Sequence, residues 1–162
     1  MKFFSKALFA IFSIPVIEKF ITHLIGLIEF KKDLCIHVRG FRIYSNTLDR
    51  ILASLMWKYS SLEDYETRLL RKTLREGMTI IDIGANIGYY TLLMGKLVGK
   101  DGTVYAFEPE KNNYRLLEKN ILINKIPNII PTQKAAANGE GTVRLFISKG
   151  HRGDHRIYVS DD

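Results

Sequence analysis

Asp82, Gly84, Asn86 and Gly88 alternate with apolar or small residues in the stretch IDIGANIGYYT, and a single glutamate, Glu108, closes the apolar run TVYAF that comes next. Two glycines four apart, with a carboxylate before them and an amide between them, form a loop whose backbone a ligand can approach closely. A carboxylate at the end of the following strand can accept hydrogen bonds from two neighbouring hydroxyls. A dinucleotide fingerprint would need glycine at 84, 86 and 89, where the chain has Gly84, Asn86 and Tyr89. A phosphate loop would need Gly-Lys-Ser/Thr, which does not follow. The chemistry that fits is recognition of a nucleoside that brings no phosphate, and S-adenosylmethionine meets that description.

These residues need rigid elements to hold them. MTIIDI reads as an apolar strand, Tyr89 to Val98 as a helix, GKDG as a turn and TVYAF as a second strand. Asn112 to Asn124 reads as a second helix and NIIPTQ as a third strand. That βαβαβ order predicts a parallel α/β sheet. The run Ile80, Ile81, Ile83 predicts a first strand covered on both faces. Pro131 cannot donate to a ladder, so the third strand belongs at an edge, and right-handed crossovers put the second strand between the other two. Open sheets of this kind bind ligands at the carboxyl ends of their strands, where Gly84 and Glu108 fall.

The first half of the chain reads differently. Residues 1–30 are apolar, yet the longest uncharged run after Lys6 ends at Ile17, short of the 18 or so residues a spanning helix requires. Ile17, Phe20, Ile21, Leu24 and Ile28 recur at helical spacing beside lysines, which predicts an amphipathic helix. It would cover a core or a partner, or lie on a membrane surface. LCIHVRGFRIYSN alternates around Arg39-Gly40 as a hairpin would. Two helices follow: one carries Leu48, Ile51, Leu52, Leu55, Met56 and Tyr59. The other opens with a Ser60/Glu63 capping box, carries Leu62, Tyr65, Leu69 and Leu70, and stops at Gly77. Residues 1–30, 31–76 and 77–162 are thus an amphipathic segment, a hairpin and helical lead-in, and a ligand-binding domain.

Composition bounds the rest. At 46% apolar and 25% charged residues the chain is globular rather than disordered. Its net charge of +7 sits mostly in the first half, with thirteen cations against eight carboxylates up to Glu76 and eleven against nine after it. The one cysteine, Cys35, cannot close an internal disulfide, which predicts a reducing, cytoplasmic setting and a buried, inert thiol. His23 and His37 read as structural. His151, Asp154 and His155 have a spacing seen in metal sites, but Gly153 opposes the helix such a site needs, so a solvated basic loop is expected and no metal.

DIGANIGYYT, AFEPEKNNYRLLEKNILIN and KAAANGEG, preceded by YETRLLRKTLREGMTI, resemble the first half of the FkbM family of S-adenosylmethionine-dependent methyltransferases, from about Glu63 to Tyr158. The resemblance implies a class I, Rossmann-like methyltransferase sheet that acts on a hydroxyl of a small molecule or sugar, with no nucleic acid partner. It also implies that Asp82, Gly84, Asn86 and Gly88 surround the methionine part of the cofactor. Glu108 would hold the ribose, and Ala135 and Ala136 would lie near the adenine. Pro109, Asn113 and Glu66 match the family as well, and Asn113 and Glu66 read as structural. No residue is assigned as a general base.

A full sheet of that kind has seven strands, and at about 25 residues per unit it requires roughly 150 to 175 residues. The chain after residue 77 is much shorter and lacks the family's later acidic motif, so it reads as truncated after three strands. The alternatives are an inactive methyltransferase remnant, a membrane-peripheral binding protein or, less well matched, a nicotinamide-dependent oxidoreductase. Self-association is a further expectation.

Overall fold

The structure, a computed structural model, describes residues 29–47, 65–139, 141–142 and 144–145. The elements are β1 (Glu29–Val38), β2 (Phe41–Thr47), α1 (Tyr65–Thr73), β3 (Thr79–Ile83), α2 (Tyr89–Val98), β4 (Thr103–Phe107), α3 (Lys111–Asn124) and β5 (Ile129–Thr132). The expected helices at 1–28 and 48–59, the capping box at Ser60 and the His151–His155 cluster lie outside the described residues.

β1 and β2 form the expected antiparallel hairpin. Arg39 (φ 46°) and Gly40 (φ 87°) are both left-handed, the pairing a two-residue turn of type I′ demands and one that matches the twist of its strands. β1 starts at Glu29, so the strand takes the last two residues assigned to the amino-terminal segment.

β3, β4 and β5 are parallel in that order, and Pro131 stands on the outer strand β5. α2 and α3 connect them and cover one face. Val104, Ala106 and Ile129 point into that layer and join Leu92, Val98 and Leu116 in the core. The other face carries Ile81, Tyr105 and Ile130 in one row across the three strands, with Ile83 beside them. Ile81 and Ile83 are 65% and 66% exposed. Coverage of β3 on both faces is therefore not seen among the described residues. The apolar run alternates in space, because successive side chains of a strand point to opposite faces.

The hairpin is fastened to α3 through side-chain amides. Asn120 Oδ1 accepts the Tyr44 N–H at 2.6 Å, and its Nδ2 donates to the Tyr44 carbonyl at 3.2 Å. One turn later Asn124 repeats the pattern on Arg42, at 2.9 and 2.7 Å. The open edge of β2 is thus satisfied by a helix in place of another strand. Outside this seam Asp33 on β1 bridges Arg115 at 2.7 and 2.8 Å and Lys119 at 2.8 Å. The Arg115 guanidinium holds the Asp33 carboxyl well below the usual carboxylate range, against the opposing effect of its partial burial.

Two expectations for single residues change. Cys35 is exposed, since on a two-stranded ribbon only one face meets the core, and Val38, Phe41 and Ile43 occupy that face. His37 is exposed too. Thr67 and Leu70 of α1, with Leu74 just after it, face inward, while Tyr65 and Leu69 face outward.

Candidate functional site

The loop after β3 is built from backbone turns that only a few residues tolerate. Gly84 has φ 81°, Asn86 φ 53° and Gly88 φ 94°, and Gly88 is the residue from which α2 starts. Glycine adopts these angles at no steric penalty, and asparagine is among the few other residues that enter the left-handed region readily. Gly84 and Ala85 both donate to the Phe107 carbonyl, at 2.9 and 3.0 Å, which carries the β3–β4 pairing past its last register pair. The Gly88 N–H closes the turn on the Ala85 carbonyl at 2.9 Å.

Glu108 sits where these turns meet and is only 4% exposed. Its Oε2 accepts the Asn86 N–H at 2.8 Å. Its Oε1 accepts the Glu110 N–H at 2.9 Å and Asn113 Nδ2 at 3.4 Å. The Glu108 N–H in turn donates to the Thr132 carbonyl at 3.1 Å, so one residue ties the carboxyl ends of all three strands together. Glu110 is the N-cap of α3, its side chain accepting the Asn113 N–H at 2.7 Å.

Asp82 lies on the helix-covered side of β3. Its Oδ2 accepts the Thr91 hydroxyl at 2.6 Å. Burial raises the Asp82 carboxyl above its ordinary value, and the Thr91 hydrogen bond opposes that rise. The two glycines differ in what surrounds them. A Cβ on Gly84 would meet nothing within 4 Å, so the space in front of that backbone is open. A Cβ on Gly88 would lie 2.5 Å from Leu117 Cδ1, so that position is small because α2 and α3 close on it.

Ala135 and Ala136 follow the end of β5 by three and four residues, half-buried and exposed respectively. The seven residues singled out from sequence therefore sit at or just beyond the carboxyl ends of the three strands. Sequence reasoning missed Thr91, and it missed Asn120, whose Nδ2 braces the loop by donating to the Ile87 carbonyl at 2.7 Å. The signal was present: Asn113, Asn120 and Asn124 recur at seven and four residues, one face of a helix. Among the described residues no group of three or more His, Cys, Asp or Glu could hold a metal ion, and no helix is long and apolar enough to cross a membrane. Glu66 is exposed in the first turn of α1.

A parallel βαβαβ unit, with this loop after its first strand and a buried acidic residue after its second, is a class I methyltransferase fold. TYW2 from P. horikoshii, solved in complex with MeSAdo, shares it at a TM-score of 0.50 and 19% identity, over 67% of this chain and 38% of that one. The family described as the TRM5/TYW2 methyltransferase domain matches residues 45–143, more than half of the chain, and the chain belongs to that family. A tRNA(Phe) (4-demethylwyosine(37)-C(7)) aminocarboxypropyltransferase from Methanocaldococcus jannaschii is 34% identical over 80 residues, 49% of this chain and 31% of that protein. The catalytic subunit of the tRNA (adenine(58)-N(1))-methyltransferase of Yarrowia lipolytica, TRM61, is 29% identical over 68 residues, 42% of this chain and 18% of its own. The chain thus spans a third or less of the length of these curated relatives.

Two expectations are corrected. The family is TRM5/TYW2 and not FkbM, as the match over residues 45–143 shows. Loop and glutamate are shared by many cofactor domains of this fold and do not separate its families. The expectation of a small-molecule or sugar acceptor with no nucleic acid is overturned by relatives named for their action on tRNA. It had come from the FkbM resemblance, and residues 82–88 and Glu108 carry no information about the acceptor.

The cofactor of this family is S-adenosylmethionine, and the residues present fit it. Its ammonium, ribose hydroxyls and adenine amine are hydrogen-bond donors. The loop offers a buried side-chain oxygen, Asn86 Oδ1, with no partner among the described residues, and open space before Gly84.

Proposed function

We propose that residues 65–139 form the cofactor side of an enzyme that transfers an alkyl group from S-adenosylmethionine to a base of tRNA. The observation that carries this reading is the family match across residues 45–143, with relatives whose names specify tRNA as the acceptor.

The chain's own residues divide the work. Gly84 lets the ligand reach the backbone, and Asn86 Oδ1 accepts one of its donors. Asp82 faces the methionine part as an anion, a charge that burial makes unfavourable until an ammonium is near it. Glu108 has four lone-pair sites and gives three to protein donors. Its remaining site on Oε2 would take one ribose hydroxyl, and Oε1, where the bond from Asn113 is long, would take the second. Gly88 keeps the loop seated on α3, and Ala135 and Ala136 leave room beside the adenine. When bound, the cofactor supplies a sulfonium that already activates its attached carbons, so the protein's part is orientation and exclusion of water.

The M. jannaschii relative favours a second version of the same reading, in which the aminocarboxypropyl group moves instead of the methyl. The test incubates the chain with unmodified tRNA transcripts and S-adenosylmethionine labelled with tritium in the methyl group and carbon-14 in the carboxyl group. Tritium alone in the RNA supports methyl transfer, and carbon-14 alone supports aminocarboxypropyl transfer. Neither label in RNA, with S-adenosylhomocysteine still bound, removes tRNA as the acceptor.

A further inference from the structure

The outward face of α1 is more basic than a solvated helix requires. Arg68, Arg71 and Lys72 on α1, and Arg75 just after it, are all exposed and lie at i, i+3, i+4 and i+7, away from the inward Thr67, Leu70 and Leu74. The only carboxylate of α1, Glu66, lies off this stripe. Within α1 the neighbouring pairs Arg68–Arg71 and Arg68–Lys72 are like-charge pairs, an arrangement that disfavours a helix. The cations at the last turn are partly offset by the helix dipole, and Arg75 Nη1 is fixed over the Lys72 and Leu74 carbonyls at 2.8 Å each. That accounts for the end of the stripe and leaves Arg68 without such a reason.

A second feature lies beside it. Tyr65 and Leu69, one turn apart at the margin of the stripe, are 68% and 48% exposed. A basic row flanked by an exposed aromatic ring is the surface on which a single-stranded nucleic acid places its phosphates and stacks a base. The position suits this. The Gly77 N–H just after α1 donates to the Val98 carbonyl at the end of α2, so the carboxyl ends of the two packed helices meet. α1 packs on α2, the helix that starts from Gly88 at the end of the loop.

We infer that this face of α1 is an RNA-contact surface, with Arg68, Arg71, Lys72 and Arg75 against the phosphate backbone and Tyr65 stacking an unpaired base. The inference rests on the reading of RNA as the acceptor and goes beyond it by naming the surface. It is tested on the full chain by fluorescence anisotropy with an unmodified tRNA transcript between 50 and 200 mM salt. The double variant Arg68→Glu/Lys72→Glu should bind at least tenfold more weakly at low salt, and its log–log salt slope should be smaller by roughly 1.5 to 2. Tyr65→Ala should weaken binding severalfold with the slope unchanged. All variants should keep wild-type affinity for S-adenosylhomocysteine, since these side chains are exposed and none belongs to residues 82–88 or is Glu108. If the unaltered chain and the variants bind the transcript equally, the surface is wrong while the acceptor reading stands. No binding by the unaltered chain overturns both. A charge-reversed variant that loses phosphatidylserine vesicles and keeps the transcript assigns the stripe to a membrane and overturns the inference.

Discussion

Asn86 donates its backbone N–H to Glu108 Oε2 at 2.8 Å, so the loop after β3 is held by the residue that ends β4. The glutamate expected to meet a ligand is also the brace of the loop expected to meet it. Cofactor affinity and local stability should respond to the same substitution.

Glu108→Ala strips an acceptor from three donors, two of them backbone N–H groups in a nearly closed site. We expect a loss of about 2 to 4 kcal/mol in folding stability and of about 1.5 to 3 kcal/mol in S-adenosylhomocysteine affinity. Urea unfolding and calorimetry measure the two separately. Unchanged affinity in a folded variant would remove Glu108 from the site.

The two loop glycines should separate ligand space from packing. Gly84→Val adds atoms only to open space, so folding should lose about 1 to 2 kcal/mol from the left-handed backbone while cofactor binding is abolished. Gly88→Ala pushes into Leu117 and should destabilise the fold by roughly 1 to 3 kcal/mol more than its backbone angle alone requires. Thermal melts with and without S-adenosylhomocysteine distinguish them, because added ligand should raise the melting temperature of the Gly88 variant and leave that of the Gly84 variant unmoved.

The raised carboxyl of Asp82 has a pH signature. The folded state holds the Asp82 proton more tightly than the unfolded state, so stability falls as pH rises from the ordinary value of 3.8 through the raised one. Asp82→Asn keeps an acceptor for Thr91 and removes the titration. Its stability should exceed that of the unaltered protein at neutral pH, and the gap should close as pH drops below about 3.8. A gap that does not vary with pH would mean Asp82 is not destabilised by its burial.

Asn120 and Asn124 perform similar bonding at different depths. Asn120 is fully buried and serves Tyr44 and Ile87, whereas Asn124 is half-buried and serves Arg42. Asn120→Ala leaves three backbone groups without partners and should reduce stability by about 3 kcal/mol or more, with Asn124→Ala losing less. Asn120→Ala should also weaken S-adenosylhomocysteine binding, since the Ile87 carbonyl anchors the loop. Equal melting temperatures for the two variants would contradict this.

The sequence by itself determined what depends on neighbours along the chain. Period and glycine placement gave the order of strands and helices from Thr79 onward, the Arg39-Gly40 turn and the edge position of Pro131, because each follows from local backbone preference. Residues 82–88 and Glu108 were legible as neighbours at the strand ends for the same reason. Only the tertiary structure decided what each does there. Gly88 is small because Leu117 lies against it, Glu108 is occupied by Asn86 and Glu110, and Asn120 serves a strand 76 residues away, contacts that no local pattern encodes. Burial was decided the same way: Cys35, Ile81 and Ile83 are apolar or small residues that face outward, because a ribbon or a sheet has two faces and the described helices cover only one. The acceptor class was misread from the family resemblance, since a loop that suits the donor of a group says nothing about its recipient, which other surfaces choose.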